Sequence, residues 1–180
     1  MDRARPAGAG ALRRRDNRYR LALLLLLIGV LRLPLAAQDS VPELRGRVTD
    51  LAGVLSAREN TRLTRMLADY EKETRHQIAI LTVPSLSGES IESYSLRVAN
   101  AWGLGLREAD NGILLLFALE DRKIRIELGL GFERYISDAR ASEIIQTDMI
   151  PSFRQGRYAR GLERGLRQLM RDGRKFRVRV

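Results

Sequence analysis

Two apolar runs, Gln77–Val83 and Ile113–Leu119, constrain this chain more than any other feature. The first is β-branched and almost wholly apolar through Ile78, Ala79, Ile80, Leu81, Thr82 and Val83, and Pro84 stops it. A strand with apolar residues on both sides is covered on both faces, as in a sheet flanked by helices. A third run behaves differently. Ile124, Ile126 and Leu128 alternate with Arg125 and Glu127, the pattern of a half-exposed strand, and Glu120–Lys123 turns the chain so that it pairs with the second run as a hairpin.

Helical signals fill the gaps. Ser56 with Glu59 three residues on is a capping box, in which each side chain satisfies an orphan backbone N–H of the other. The helix it opens carries Leu63, Met66, Leu67 and Tyr70 on one face and ends near Thr74. A second helix runs from Ile91 to Trp102 and stops at Gly103 and Gly105. Ser137 or Asp138 caps a third, with Ile144, Ile145 and Met149, which Pro151 interrupts. The fourth spans Tyr158–Arg171. With Arg47–Asp50 extended, the order is extended segment, α, β, α, β, β, α, α. This predicts an α/β fold, a three-layer or two-layer sandwich around a small mixed sheet.

The N-terminus is of another kind. Residues 1–20 are rich in arginine, Leu21–Leu31 is uncharged, and Pro34, Ala36 and Ala37 follow. That is the layout of a secretory signal peptide. Eleven apolar residues are too few to span a bilayer, which needs roughly 20. Arg32 within the cleavage region leaves a second reading, an N-terminal anchor over residues 21–37. Either way the chain is expected to be exported, to a periplasm or cell envelope or beyond. Residues 38–47 read as a linker, 48–171 as one domain, and 172–180 as a basic tail.

Charge follows this division. The formal net charge of +10 is inflated by the N-terminus, where eight arginines stand against Asp2 and Asp16. The other 143 residues carry 24 basic and 20 acidic groups, a net +4, and Arg174, Lys175, Arg177 and Arg179 belong to the tail. Basic residues are not interleaved with aromatic ones, so no stacking surface for nucleic acid is expected. The tail or the N-terminal segment is the expected route to a membrane surface.

Chemistry-bearing motifs are sparse. The chain has no cysteine and one histidine, His76, which reads as a solvated residue between helix and strand. That rules out cysteine chemistry and argues against a zinc site, which prefers His and Cys ligands. Gly103-Leu104-Gly105 and Gly129-Leu130-Gly131 lack the third glycine of a dinucleotide fingerprint, and no phosphate-cradling loop exists. What remains is carboxylates at element ends: Asp50, Asp110, Glu133 and Asp138. Three of them have a structural explanation: an Asx-turn for Asp50, a turn at Asp110-Asn111-Gly112, a helix cap for Asp138. Together they form an oxygen-only set suited to a hard cation such as calcium or magnesium.

Val48–Ser56, Gln77–Val83, Ala101–Gly105, Asp110–Leu116, Arg122–Glu127, Gly129–Glu133 and Ile150–Tyr158 together resemble the TPM domain family, in order, over about Val48–Met170. The resemblance implies an α-β-α sandwich and an exported or membrane-anchored protein. Its partners would be envelope proteins or membrane-protein complexes, which it helps to assemble, repair or turn over. It also implies calcium binding, with Asp50, Asp110 and Glu133 as the candidate metal ligands. The alternative it carries is acid phosphatase activity, metal-assisted, with Asp110 or Asp50 as nucleophile or ligand and Arg122 or Lys123 offsetting phosphate charge. This chain departs from the family pattern at Arg134, where a glycine is usual, and in ending soon after the last helix.

Overall fold

The computed structural model describes residues 41–106, 108–132 and 135–176. The expected export segment and Glu133 lie outside the described residues. The order is β1 (Val48–Asp50), α1 (Ala57–Thr74), β2 (Gln77–Val83), α2 (Ile91–Trp102), β3 (Gly112–Ala118) and β4 (Lys123–Leu128), then a 3-10 turn (Leu130–Phe132). α3 (Asp138–Ile144) continues through a π-helical turn (Ile145–Met149) into the short α4 (Ile150–Phe153), and α5 (Tyr158–Gly173) closes the domain.

Helix ends follow the local chemistry. The capping box at Ser56 and Glu59 is formed on both sides. Ser137, rather than Asp138, caps α3, its hydroxyl accepting from the Arg140 N–H at 3.2 Å, and Asp138 becomes the acidic first-turn residue. Pro151 has no N–H to donate to residue 147, and the chain meets that deficit with the π-helical turn just before it.

The sheet has strand order β1-β2-β3-β4, with β1, β2 and β3 parallel and β4 antiparallel to β3. Gln77 pairs with Gly112 and Val83 with Ala118, so the two apolar runs lie in full register at the centre. Both are buried on both faces, as their composition requires. Ile78, Ile80, Ile113, Leu115 and Ile126 share one core with Leu63 and Leu67 of α1, Ile144 of α3, and Leu162, Leu166 and Leu169 of α5. Ala79, Leu81, Leu114 and Leu116 face the other way, against Ile91, Tyr94 and Val98 of α2. The fold is therefore α/β, a three-layer α-β-α sandwich with one helix on one face and the rest on the other.

This arrangement has an uncommon consequence. The β1–α1–β2 and β2–α2–β3 crossovers step across the sheet in the same direction, yet α1 and α2 cover opposite faces. Two such crossovers must have opposite hands, so one is left-handed, against a strong general preference for right-handed connections.

His76 departs from its expected exposure. It is wholly buried, with Nδ1 3.0 Å from the Tyr70 hydroxyl, its ring edge-on to Phe132 and stacked on Phe176 at 4.9 Å between centroids. The helix–strand corner that holds it is roofed by the residues following α5, a contact a local reading cannot foresee. Burial pushes the His76 pKa down, against a smaller upward pull from the Phe176 backbone, and pushes the Tyr70 phenol up to about 12. Residues 41–47 are tied to the domain as well: Val41 packs against the α2-side core, and the Pro42 carbonyl accepts from the Trp102 indole at 2.7 Å.

Candidate functional site

Strand direction decides where each candidate carboxylate falls. Asp50 ends β1 beside Thr82, near the end of β2, whereas Asp110 precedes Gly112, the start of β3. Because β1, β2 and β3 are parallel, these are opposite ends of the sheet. The five steps along the strand from Gln77 to Thr82 alone span roughly 16 Å at about 3.3 Å per residue. The structure does not bring Asp50 and Asp110 together. Arg122 and Lys123, the cations suggested for a phosphate, lie at the far end of the β3–β4 hairpin from Asp110, and Asp50 is separated from them by the width of β2 and β3.

Asp50 is occupied by its own loop. Its carboxylate accepts from the N–H groups of Val54 at 3.2 Å and Leu55 at 2.9 Å, and from the Thr82 hydroxyl. It reaches four and five residues ahead instead of closing the expected Asx-turn. The loop from β1 to α1 is thereby clamped onto β2, with the Leu51 and Ala52 N–H groups donating to Thr82 as well.

Asp110 sits in a more consequential place. It adopts positive φ (45°), unusual outside glycine. Its carboxylate accepts from the Leu130 N–H at 3.2 Å, and its carbonyl from the Gly131 N–H at 3.0 Å. Two separated motifs thus meet here. Gly129 and Gly131 pack directly on the backbone of Asp110 and Ala109; a Cβ at either would collide with a carbonyl oxygen. Only glycine permits that approach. Asn111 secures the same loop from below. Fully buried, it accepts from the Leu106 N–H at 2.7 Å and donates to the Arg75 carbonyl at 2.8 Å, while Gln77 accepts from the Gly105 N–H at 2.7 Å.

A groove of about 650 Å³ opens beside this junction, between α2, β4 and the loops, with Asp110, Glu127 and Asp138 in its lining. Arg125 lies in it too, bound to Glu127 at 2.7 Å, which pushes the guanidinium pKa up; the Ser95 hydroxyl donates to the same carboxylate at 2.6 Å. In the sequence Glu127 reads only as part of the exposed face of a strand. Its alternation with Ile126 was visible, but the helix packed over that face was not. Among the described residues no three acidic or histidine side chains gather as a metal cluster.

These features define a class: an α/β sandwich whose glycine-containing loops converge on an acidic groove at one end of a mixed sheet. The TPM domain model matches residues 48–172, and the chain belongs to that family. Solved structures agree. The N-terminal domain of a protein from P. gingivalis is 35% identical, with a TM-score of 0.66, covering 71% of this chain and 82% of that one. BA42 from the psychrophilic bacterium Bizionia argentinensis is 21% identical (TM-score 0.60; 69% of this chain, 86% of that one) and shares the fold. The N-terminal domain of cg2496 from Corynebacterium glutamicum likewise shares it, at 19% identity and TM-score 0.55, with 77% and 84% covered. Among curated proteins none matches the sequence.

Proposed function

We propose that this chain is an exported envelope module that takes a calcium ion at the junction of Asp110 with residues 129–131 and assists the assembly, repair or turnover of membrane proteins. The observation that carries the reading is the position of Asp110. Its carboxylate stands where two loops close on each other, at the lip of a groove, and its surroundings offer carboxylate and carbonyl oxygen. An all-oxygen set of this kind suits calcium. Asp110 is the described residue that would hold the ion, and Glu133, outside the described residues, is the second ligand the family resemblance suggests; Asp50, engaged by its own loop at the other end of the sheet, is not part of that site. A bound cation would offset the groove's negative charge and stiffen the loop junction.

An acid phosphatase is the weaker reading. Phosphoryl transfer needs a nucleophile or activated water together with positive charge on the phosphoryl oxygens. Arg122 and Lys123 are remote from Asp110, and Arg125 is held by Glu127.

Calcium titration followed by amide NMR tests the proposal. Shifts are expected at residues 106–112 and 128–133, lost in Asp110→Asn and Glu133→Gln and kept in Asp50→Asn. Absence of any response at millimolar calcium would sink it.

A further inference from the structure

Among the described residues four large apolar side chains are exposed, and three of them rim one groove: Leu96 (53% exposed), Leu106 (45%) and Leu130 (69%). They come from α2, from the loop after it and from the 3-10 turn, so no single amphipathic element explains them. Isolated exposed leucines are ordinary, but apolar groups gathered on one concave surface mark contact sites. The backbone beneath is tied together by the close approach of Gly129 and Gly131 and by the Asn111 hydrogen bonds.

Charge narrows the choice of occupant. Among the described residues three carboxylates, Asp110, Glu127 and Asp138, line the groove against a single cation, Arg125, which Glu127 engages. This is a locally acidic patch in a stretch, residues 38–180, whose 24 basic and 20 acidic groups leave a net +4. A patch of this sign attracts cationic groups.

We propose that this groove docks a cationic, leucine-bearing segment of a protein partner. Apolar side chains would seat among Leu96, Leu106 and Leu130, and Lys or Arg side chains would reach Asp110 and Asp138. The inference does not rest on calcium binding, so its test is run in EDTA.

The probe is a fluorescein-labelled peptide of about twelve residues, half leucine and half lysine, titrated with the purified chain and read by anisotropy. Two control peptides replace the leucines with serine or the lysines with glutamate. Saturable binding of the leucine–lysine peptide is expected, with both controls weaker by about tenfold or more. The double variant Leu96→Ser/Leu130→Ser, at exposed positions that leave the core intact, is expected to lose about tenfold in affinity with an unchanged melting temperature. Asp138→Asn should weaken binding and flatten its salt dependence. The proposal is overturned by no saturable binding, by equal binding of the serine or glutamate control, or by undiminished affinity in the leucine variant. Calcium binding is read separately by its own titration, so either idea can fail alone.

Discussion

Asn111→Ala is the substitution that most directly tests how the groove is held. Asn111 is fully buried, and its amide joins three segments: it receives the Leu106 N–H at 2.7 Å and donates to the Arg75 carbonyl at 2.8 Å. Alanine removes both partners and leaves an N–H and a carbonyl unpaired. Each orphaned buried group costs about 1–3 kcal/mol. Water can reach part of both at the domain edge, so about 3 kcal/mol for the pair is expected. In a domain of this size 1 kcal/mol moves the melting temperature by about 3–4 °C, so a fall of about 10 °C should follow. Thermal melts by circular dichroism, with urea titration alongside, measure it. Asn111→Asp adds a sharper arm. It retains an acceptor for Leu106 but turns a buried charge toward the Arg75 carbonyl, so it should be at least as damaging at neutral pH and recover on mild acidification. A melting temperature for Asn111→Ala within about 2 °C of the parent would refute the reasoning. It would mean that the 103–112 loop is held by its backbone packing alone.

Two further outcomes follow from buried or engaged polar groups. Asp50→Ala should cost about 2–3 kcal/mol, because it strips acceptors from Val54, Leu55 and Thr82. Urea denaturation would measure that cost, and a variant as stable as the parent would contradict the clamp. His76 has a folded-state pKa below its ordinary value of 6.5, because burial disfavours the charged ring. The unfolded chain therefore takes up this proton first: its contribution is fully present above about pH 6.5, declines as pH falls toward the folded-state pKa, and levels off below it. The slope in that window is at most about 1.4 kcal/mol per pH unit. Comparing urea denaturation of the parent and His76→Gln between pH 5 and 8 checks this, and an identical pH dependence in both would remove His76 as its cause.

Much of the fold was legible from local pattern. The apolar runs became the two central strands, with β3 displaced by one residue from its expected bounds. Ser56–Glu59 became a formed capping box, and the second helix ran from Ile91 to Trp102 as its spacing indicated. The site was legible only in pieces. Asp110-Asn111-Gly112 reads as a good turn, and nothing local says that Asn111 is buried beneath the loop, or that Gly129 and Gly131 lie against it. His76 escaped for the same reason, since its cover arrives from Phe176, a hundred residues away in sequence. The convergence of Asp50 and Asp110 failed on strand direction: one follows its strand, the other precedes its own, and parallel strands place such residues apart.

By itself the sequence determined the alternation of elements, the double-sided burial of the central strands and the acidic candidates at element ends. These depend on periodicity and on near-neighbour hydrogen bonds. Tertiary structure alone decided which face each helix covers. Strands that are apolar on both sides offer a helix either face, so the hand of each crossover is invisible in them. The packing of α1 with α5 on one side and α2 on the other settled that choice, and it placed α2 over Arg125 and Glu127, turning a half-exposed strand into the wall of a groove.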